Sequence, residues 1–504
     1  SKLKVRNKGV IMSDVRVRFA PSPTGYLHIG GLRTALFNYL YARHTDGTMI
    51  LRIEDTDRTR FVEGALENLL KALEWSGVEI DEGVMLDENG KVTEKGEYGP
   101  YIQSDRVKAG IYNEYIEKLI EEDKAYYCFC SQERIDKVRD QQKADGLTPK
   151  YDGLCRSIPL EEAKQRVANG EEYTVRLKLP KNRDISFEDR IKGKITFNTD
   201  DMDDQVLIKR DGFPTYHFAV VVDDHLMKIT HVVRGDEWIS STPKHVYLYE
   251  AFGWDAPEYI HLPTVLNEDH KKYSKRNGDG MVEDFIEEGY TPEGLINFLA
   301  LLGWSPDSEE EIFTMEELAK QFDFDRVNKT GAVFDKRKLD WVNGHYVRDL
   351  SVEELAEKIK PFMQNSGLID ENYSDEDLNL LAETWQSAID KFSDAPKLSQ
   401  NFFLDDDKMD WEEEASEVLK EEDSKKLVDA YLEKLAGVDE IDADFAKSIM
   451  KTLQKETGIK GKNLWFPIRA AITGSVHGPD LSNVMILMGK EKIAERLNYV
   501  KENF

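Results

Sequence analysis

VRVRFAPSPTGYLHIGGLRTALFNYLY, running from Val15 to Tyr41, decides how this chain folds. Its first five residues alternate apolar and charged, as a strand with a period of two does. Pro21-Ser22-Pro23-Thr24-Gly25 then forces a turn, because proline fixes φ and glycine permits positive φ. From Leu32 to Tyr41 apolar residues return at helical spacing. Residues 49–53 (MILRI) read as the next strand and 62–75 as the next helix. Strand, turn, helix, strand, helix is the pattern of a parallel sheet with crossover helices.

Further along, around Tyr126 to Cys130, the pattern changes. Residues 176–179, 195–198 and 206–209 alternate with charged turns between them, which predicts an inserted α+β segment. The parallel pattern resumes near 214–222 and 229–234, followed by a helix over about 243–252. From Pro292 onward amphipathic helices dominate, at 292–302, 352–363, 375–392 and 415–435. The expected layout is a split α/β domain, an insertion and a long helical tail.

At 504 residues the chain exceeds one hydrophobic core, since domains run to about 100–200 residues. With 40 % apolar residues it can fill several cores, which excludes a largely disordered chain. No apolar run approaches the roughly 20 residues that cross a bilayer, and residues 1–14 lack the apolar core of an export signal. No membrane partner and a cytoplasmic location are expected. Three cysteines are too few for a disulfide scaffold, so reduced thiols are expected too. A net charge of −29 argues against nucleic acid until its distribution is read: residues 351–450 carry −18, whereas 451–504 carry +4. A locally basic end can still hold a phosphate backbone, because screening acts over about 8 Å.

Two segments carry chemistry. His28-Ile-Gly-Gly31 opens a helix, where free N–H groups and a partial positive charge bind phosphate; Gly30 and Gly31 let a base or phosphate approach the backbone, and His28 can donate to phosphate oxygens. Alone, the tetrapeptide is equally a plain helix entrance. Lys271-Lys-Tyr-Ser-Lys-Arg276 sits in a polar loop before Gly278 and, as a charge cluster, reads as a solvated turn.

Together these segments resemble a known family. Residues 19–31 are similar to the "HIGH" signature of class I aminoacyl-tRNA synthetases, in the form of the glutamyl and glutaminyl branch. Gly31 stands where the general pattern has a second histidine, whose contribution therefore does not carry over. Lys272, Tyr273, Ser274, Lys275 and Arg276 occupy the five places of the mobile "KMSKS" loop. Arg52-Ile-Glu-Asp-Thr-Asp57, Pro214 to His225, Arg234-Gly-Asp-Glu-Trp238, Leu301-Leu-Gly-Trp304 and Phe466-Pro-Ile-Arg469 match the family in order, over nearly the whole chain.

The resemblance to bacterial-type glutamyl-tRNA synthetases implies an α/β fold class: a split Rossmann-type parallel-sheet catalytic domain with an α+β insertion, then a mostly α-helical anticodon-binding region. The expected parts are 14–101 and 214–262 as the catalytic halves, 102–213 as an acceptor-stem insertion, 263–350 as a stem-contact region and 351–504 as the helical domain. It implies ATP with Mg2+, L-glutamate and tRNA(Glu) as partners, a monomer, and attack of glutamate on ATP followed by transfer to the RNA's terminal ribose. Flexible lysines would stabilise charge developing on phosphate oxygens, with His28, Lys272, Ser274 and Lys275 as the catalytic set. Arg18 and Arg234 take the places that clamp the side-chain carboxylate, Glu54 that facing the ammonium, with Ala20, Ser22 and Tyr216 completing the shell. Ser22, His28, Gly30, Gly31, Glu237, Trp238 and Lys275 fall on the ATP side. Val220 replaces an asparagine of many relatives, so one pocket hydrogen bond is expected to be lost.

Cys128, Cys130 and Cys155 resemble a zinc segment of some relatives, but Ser157 replaces the histidine that completes it; Tyr151 or a carboxylate is the remaining stand-in for the fourth donor, and zinc is not expected. In the tail Lys455, Lys460, Lys462 and Arg469 surround Trp465 and Phe466, which read either as a base-stacking surface or as core of the last helices. A glutaminyl synthetase would end in β-barrels and the truncated relative that modifies a base lacks the tail. A catalytically dead tRNA-binding protein would show damage at His28, Lys272 or Lys275, and none is visible.

Overall fold

The computed structural model describes residues 4–5, 11–273 and 280–504. The chain divides into two compact units, Ser1–Asp284 with Leu295–Asp335, and Phe285–Gly294 with Lys336–Phe504.

In the first unit the strand Arg16–Phe19, the helix Ile29–His44 and the strand Thr48–Leu51 follow one another as the sequence predicts. The two strands pair in parallel with Arg18 opposite Ile50; Glu82–Leu86 continues in parallel and Val92–Lys95 closes the edge antiparallel. All four residues of Arg16–Phe19 are buried, so its arginines do not reach solvent as the alternation suggests. Both faces of a parallel sheet are covered, and each arginine meets a carboxylate instead. Arg16 pairs with Glu82 at 2.7 and 3.1 Å. The helix predicted over 62–75 is Ala65–Ser76, entered through Gly64 at φ +79°, a conformation glycine adopts without strain.

The second half of the parallel fold is His231–Gly235 paired in parallel with Glu258–Leu262. It joins the first half where Arg16 N–H donates to Thr230 Oγ1 and Thr230 N–H donates to the Arg16 carbonyl, both at 2.9 Å. Between the halves, Ala125–Cys128, Thr174–Leu177 and Val206–Ile208 form a three-stranded antiparallel sheet. The hairpin Asp184–Asp189 and Gly193–Asn198 instead extends the second half-sheet, because Asp189 pairs with Tyr259. The stretch 214–222 corrects the sequence reading: it opens the helix Tyr216–Leu226. Its apolar run is buried all round, and such a run has the same composition in a strand or a helix.

The second unit is helical. The expected helix over 375–392 is Asp375–Trp385, and 415–435 divides into Glu413–Leu419 and Glu422–Ala436. Part of the acidic block caps helices. Ser351 and Ser374 accept the N–H of Glu354 and Asp377, and Asp375, Glu376 and Asp377 lie in a first turn where the helix dipole favours negative charge. Leu355, Ile359, Leu381, Leu427, Ile468, Val484 and Leu497 belong to one continuous apolar core. Among the described residues no helix is long and apolar enough to cross a membrane.

Candidate functional site

The turn after Arg16–Phe19 delivers the chain into the helix Ile29–His44, whose N-cap is His28: its Nδ1 accepts the Gly30 N–H at 3.0 Å. That bond fixes the tautomer, so the ring proton sits on Nε2. A side chain on Gly31 would begin 3.0 Å from Leu27, and one on Gly235 would fall onto the Glu237 carboxylate, so both positions hold the backbone open.

These elements wall a cleft of about 910 Å³. Every described residue that the sequence reading assigned to substrate lines it: Arg18, Ala20, Ser22, His28, Gly30, Gly31, Glu54, Tyr216, Arg234, Glu237, Trp238 and Lys272. Ser274 and Lys275 lie outside the described residues. Lys272 is exposed at the rim, and Tyr273 beside it stacks on Phe334 with ring centres 4.8 Å apart. Val220 does not line the cleft; it packs in the hydrophobic core with Phe218, Val221 and Val222.

At the inner end lies a chain of buried ion pairs. Arg18 grips Asp224 through Nε and Nη2 at 2.9 and 3.2 Å, and Arg52 Nη1 donates to the same carboxylate at 2.8 Å. Burial alone would raise the Asp224 pKa, but Arg18 and Arg52 hold it below the usual carboxylate range. Arg106 and Tyr112 donate to Asp223 at 2.7 Å each, and Gln103 bridges Asp223 and Glu54 at 2.9 Å. Burial pushes Glu54 up to about 7, against the pull of Arg52 and Arg18. Sequence reasoning gave no role to Arg52, Arg106, Asp223 or Asp224. The available signal was the pair of acids closing the apolar run Phe218 to Val222, since a carboxylate next to such a run is seldom buried unless paired.

Arg234 has a different setting. Its Nε donates to His261 Nε2 at 3.1 Å, Nη1 to the Tyr216 hydroxyl at 2.9 Å, and Nη2 to Thr242 Oγ1 at 2.9 Å and His245 Nδ1 at 3.1 Å. His245 in turn meets His217 at 2.9 Å. Burial, with Lys244 and Arg234 nearby, lowers His217 to about 4, and burial with Arg234 lowers His245 well below the ordinary histidine value. Tyr216 stacks on Trp238 with ring centres 4.1 Å apart, forming a flat apolar wall. The cleft therefore brings together a helix N-terminus, a planar aromatic face, two guanidiniums and a carboxylate.

Apart from the cleft, Cys128, Cys130 and Cys155 bring their sulfurs within 4.8 Å of one another, and none of them lines it. The Tyr151 hydroxyl lies 3.3 Å from the sulfurs of Cys128 and Cys130, and accepts the Cys155 N–H at 2.9 Å. A hydrogen bond from Cys155, against burial, draws the Cys128 thiol down to about 4. Three thiols and a phenolic oxygen fit a soft divalent cation, with Tyr151 rather than Ser157 as the fourth donor; such an ion would cross-link the insertion.

In the second unit Trp465 is exposed, whereas Phe466 is partly buried against the core with Lys462 above its ring. Of the two, Phe466 is thus the one that belongs to the core of the last helices.

Residues 14–341 match the model of the tRNA synthetases class I (E and Q), catalytic domain, and residues 354–501 match an anticodon binding domain. The glutamate–tRNA ligase of Finegoldia magna is 60 % identical over 97 % of this chain and 99 % of its own length. That of Clostridioides difficile is 53 % identical over 97 % and 99 %. A crystal structure of the Elizabethkingia meningosepticum glutamate tRNA ligase in complex with its amino acid superposes with a TM-score of 0.85 at 37 % identity, covering 97 % of this chain and all of the other.

Proposed function

This chain belongs to the glutamate–tRNA ligases, a branch of the class I tRNA synthetases, and from that premise we propose that its cleft activates L-glutamate with ATP and passes it to the terminal ribose of tRNA(Glu). The observation that carries the reading is one cleft lined both by the helix N-terminus at His28, Gly30 and Gly31, which suits phosphate, and by Arg18, Arg234 and Glu54.

Glu54 faces the α-ammonium, and Arg18 and Arg234 take the side-chain carboxylate, with Ala20, Ser22 and Tyr216 shaping the space between. The α-carboxylate is left as the nucleophile toward the α-phosphate of ATP. Trp238 and Glu237 border the nucleotide, and Gly30 and Gly31 let phosphate reach the helix N–H groups. As the carboxylate oxygen bonds to phosphorus and pyrophosphate leaves, charge grows on phosphate oxygens. His28 Nε2–H and Lys272, with Ser274 and Lys275 of the same loop, stabilise it. Magnesium enters with ATP as part of that substrate. A ribose hydroxyl of the RNA's last nucleotide then attacks the acyl carbon and AMP leaves. We assign RNA reading to residues 351–504 and acceptor-stem contact to the insertion 102–213, in a cytoplasmic monomer.

The test is glutamate-dependent exchange of pyrophosphate into ATP, with and without tRNA(Glu). Exchange with glutamate that requires the RNA supports the reading. Absence of exchange under both conditions, with RNA still bound, would replace the synthetase by an RNA-binding protein.

A further inference from the structure

We infer, resting on the reading of the cleft as a glutamate site, that Gln103 completes the place of the α-ammonium: its Nε2 anchors Glu54, and its Oε1 offers the ammonium a second acceptor.

The backbone sets Gln103 beside Glu54. Ile53 N–H donates to the Tyr101 carbonyl and Gln103 N–H to the Ile53 carbonyl, both at 2.9 Å, so the start of the helix Gln103–Lys108 runs alongside the residues that lead to Glu54. The Gln103 side chain, 1 % exposed, lines the cleft and sends Nε2 to Glu54 Oε2 and Asp223 Oδ2, each at 2.9 Å. Asp223 decides which way the amide faces. Its Oδ2 also accepts the Tyr112 hydroxyl and its Oδ1 accepts Arg106 Nε, so this buried group presents lone pairs only. Turning the amide over would set two acceptor oxygens 2.9 Å apart in the interior, away from water. Both amide hydrogens are thereby committed to carboxylates. Among the described residues no hydrogen-bond donor reaches Gln103 Oε1 or Glu54 Oε1, and both residues line the cleft.

An α-ammonium carries three N–H donors pointing in different directions, more than one carboxylate oxygen takes. Glu54 Oε1 answers its charge, and Gln103 Oε1 accepts a second N–H without adding charge. The residue type suits the place. A glutamate here would repel both Glu54 and Asp223, and a lysine would satisfy those acids but repel the ammonium. An amide donates to the two carboxylates and still accepts from the substrate.

Glutarate keeps both carboxylates of the substrate and lacks the ammonium, so it separates this contact from the rest of the cleft. In glutamate-dependent pyrophosphate exchange with RNA present, Gln103→Met should raise KM for glutamate by about 10–100-fold, the usual loss for a hydrogen bond to a charged group. The competitive inhibition constant of glutarate and KM for ATP should stay within about twofold. If the methionine variant fails to fold, Gln103→Asn, whose amide is one methylene too short to reach both carboxylates, should give the same split. Glutamate and glutarate weakened alike, or glutamate not weakened, would overturn the inference. Absence of glutamate-dependent exchange in the unaltered protein would instead overturn the reading beneath it.

Discussion

The first unit hides ion pairs where the second hides hydrocarbon. Around the cleft Arg18, Arg52, Arg106, Asp223 and Asp224 are all nearly inaccessible. In the helical unit the interior is a continuous apolar cluster, and among its described residues Arg496 is the buried charged side chain. Arg496 is held by the carbonyls of Ile472 and Leu404 at 2.6 and 2.8 Å, and by Asp406 at 3.1 Å. Buried ion pairs are weak stabilisers, because desolvation offsets most of the attraction, whereas apolar packing stabilises directly. The contrast shows where the fold serves stability and where it serves chemistry: charges are buried together beside a cleft that must receive a zwitterion carrying a third charge.

The sharpest break of that contrast is Asp224→Ala. It leaves Arg18 and Arg52 unpaired in the interior, so the protein should lose about 3–5 kcal/mol by denaturant titration, with glutamate activation abolished in exchange assays. If activity survives, the ion-pair chain is scaffolding alone. Next in size, Lys272→Ala should slow activation by about 100–1,000-fold with the denaturation midpoint unmoved, since the side chain is exposed and acts on developing charge.

A smaller effect follows from Glu54, held at about 7 by burial. An ammonium binds the ionised carboxylate, whose fraction grows as pH rises through that value. Glutamate affinity should therefore increase by about tenfold between pH 6 and 8, with proton release measurable calorimetrically below 7. A flat profile would show that Glu54 does not face the ammonium. The smallest effect on activation belongs to the helical unit: Leu427→Ala should cost about 2–5 kcal/mol of stability there, yet leave KM for glutamate and ATP within about twofold.

Much of this was legible in the sequence. The Pro/Gly turn and helical spacing from Val15 to Tyr41 announced the first strand and helix, and the motif residues His28, Glu54, Arg234 and Lys272 all line the cleft. What the residues could not announce was pairing over long separation. Arg18 and Asp224 lie 206 positions apart, and no local pattern links them. The helix Tyr216–Leu226 was obscured because a wholly buried apolar run lacks periodicity.

The most direct test of the account is charging itself: radiolabelled glutamate or glutamine, ATP, and a tRNA(Glu) transcript, with RNA-bound label counted after acid precipitation. The account predicts glutamate attached to the RNA through an ester that mild alkali releases, and no attachment of glutamine. RNA left uncharged by glutamate, or charged equally by glutamine, would contradict it.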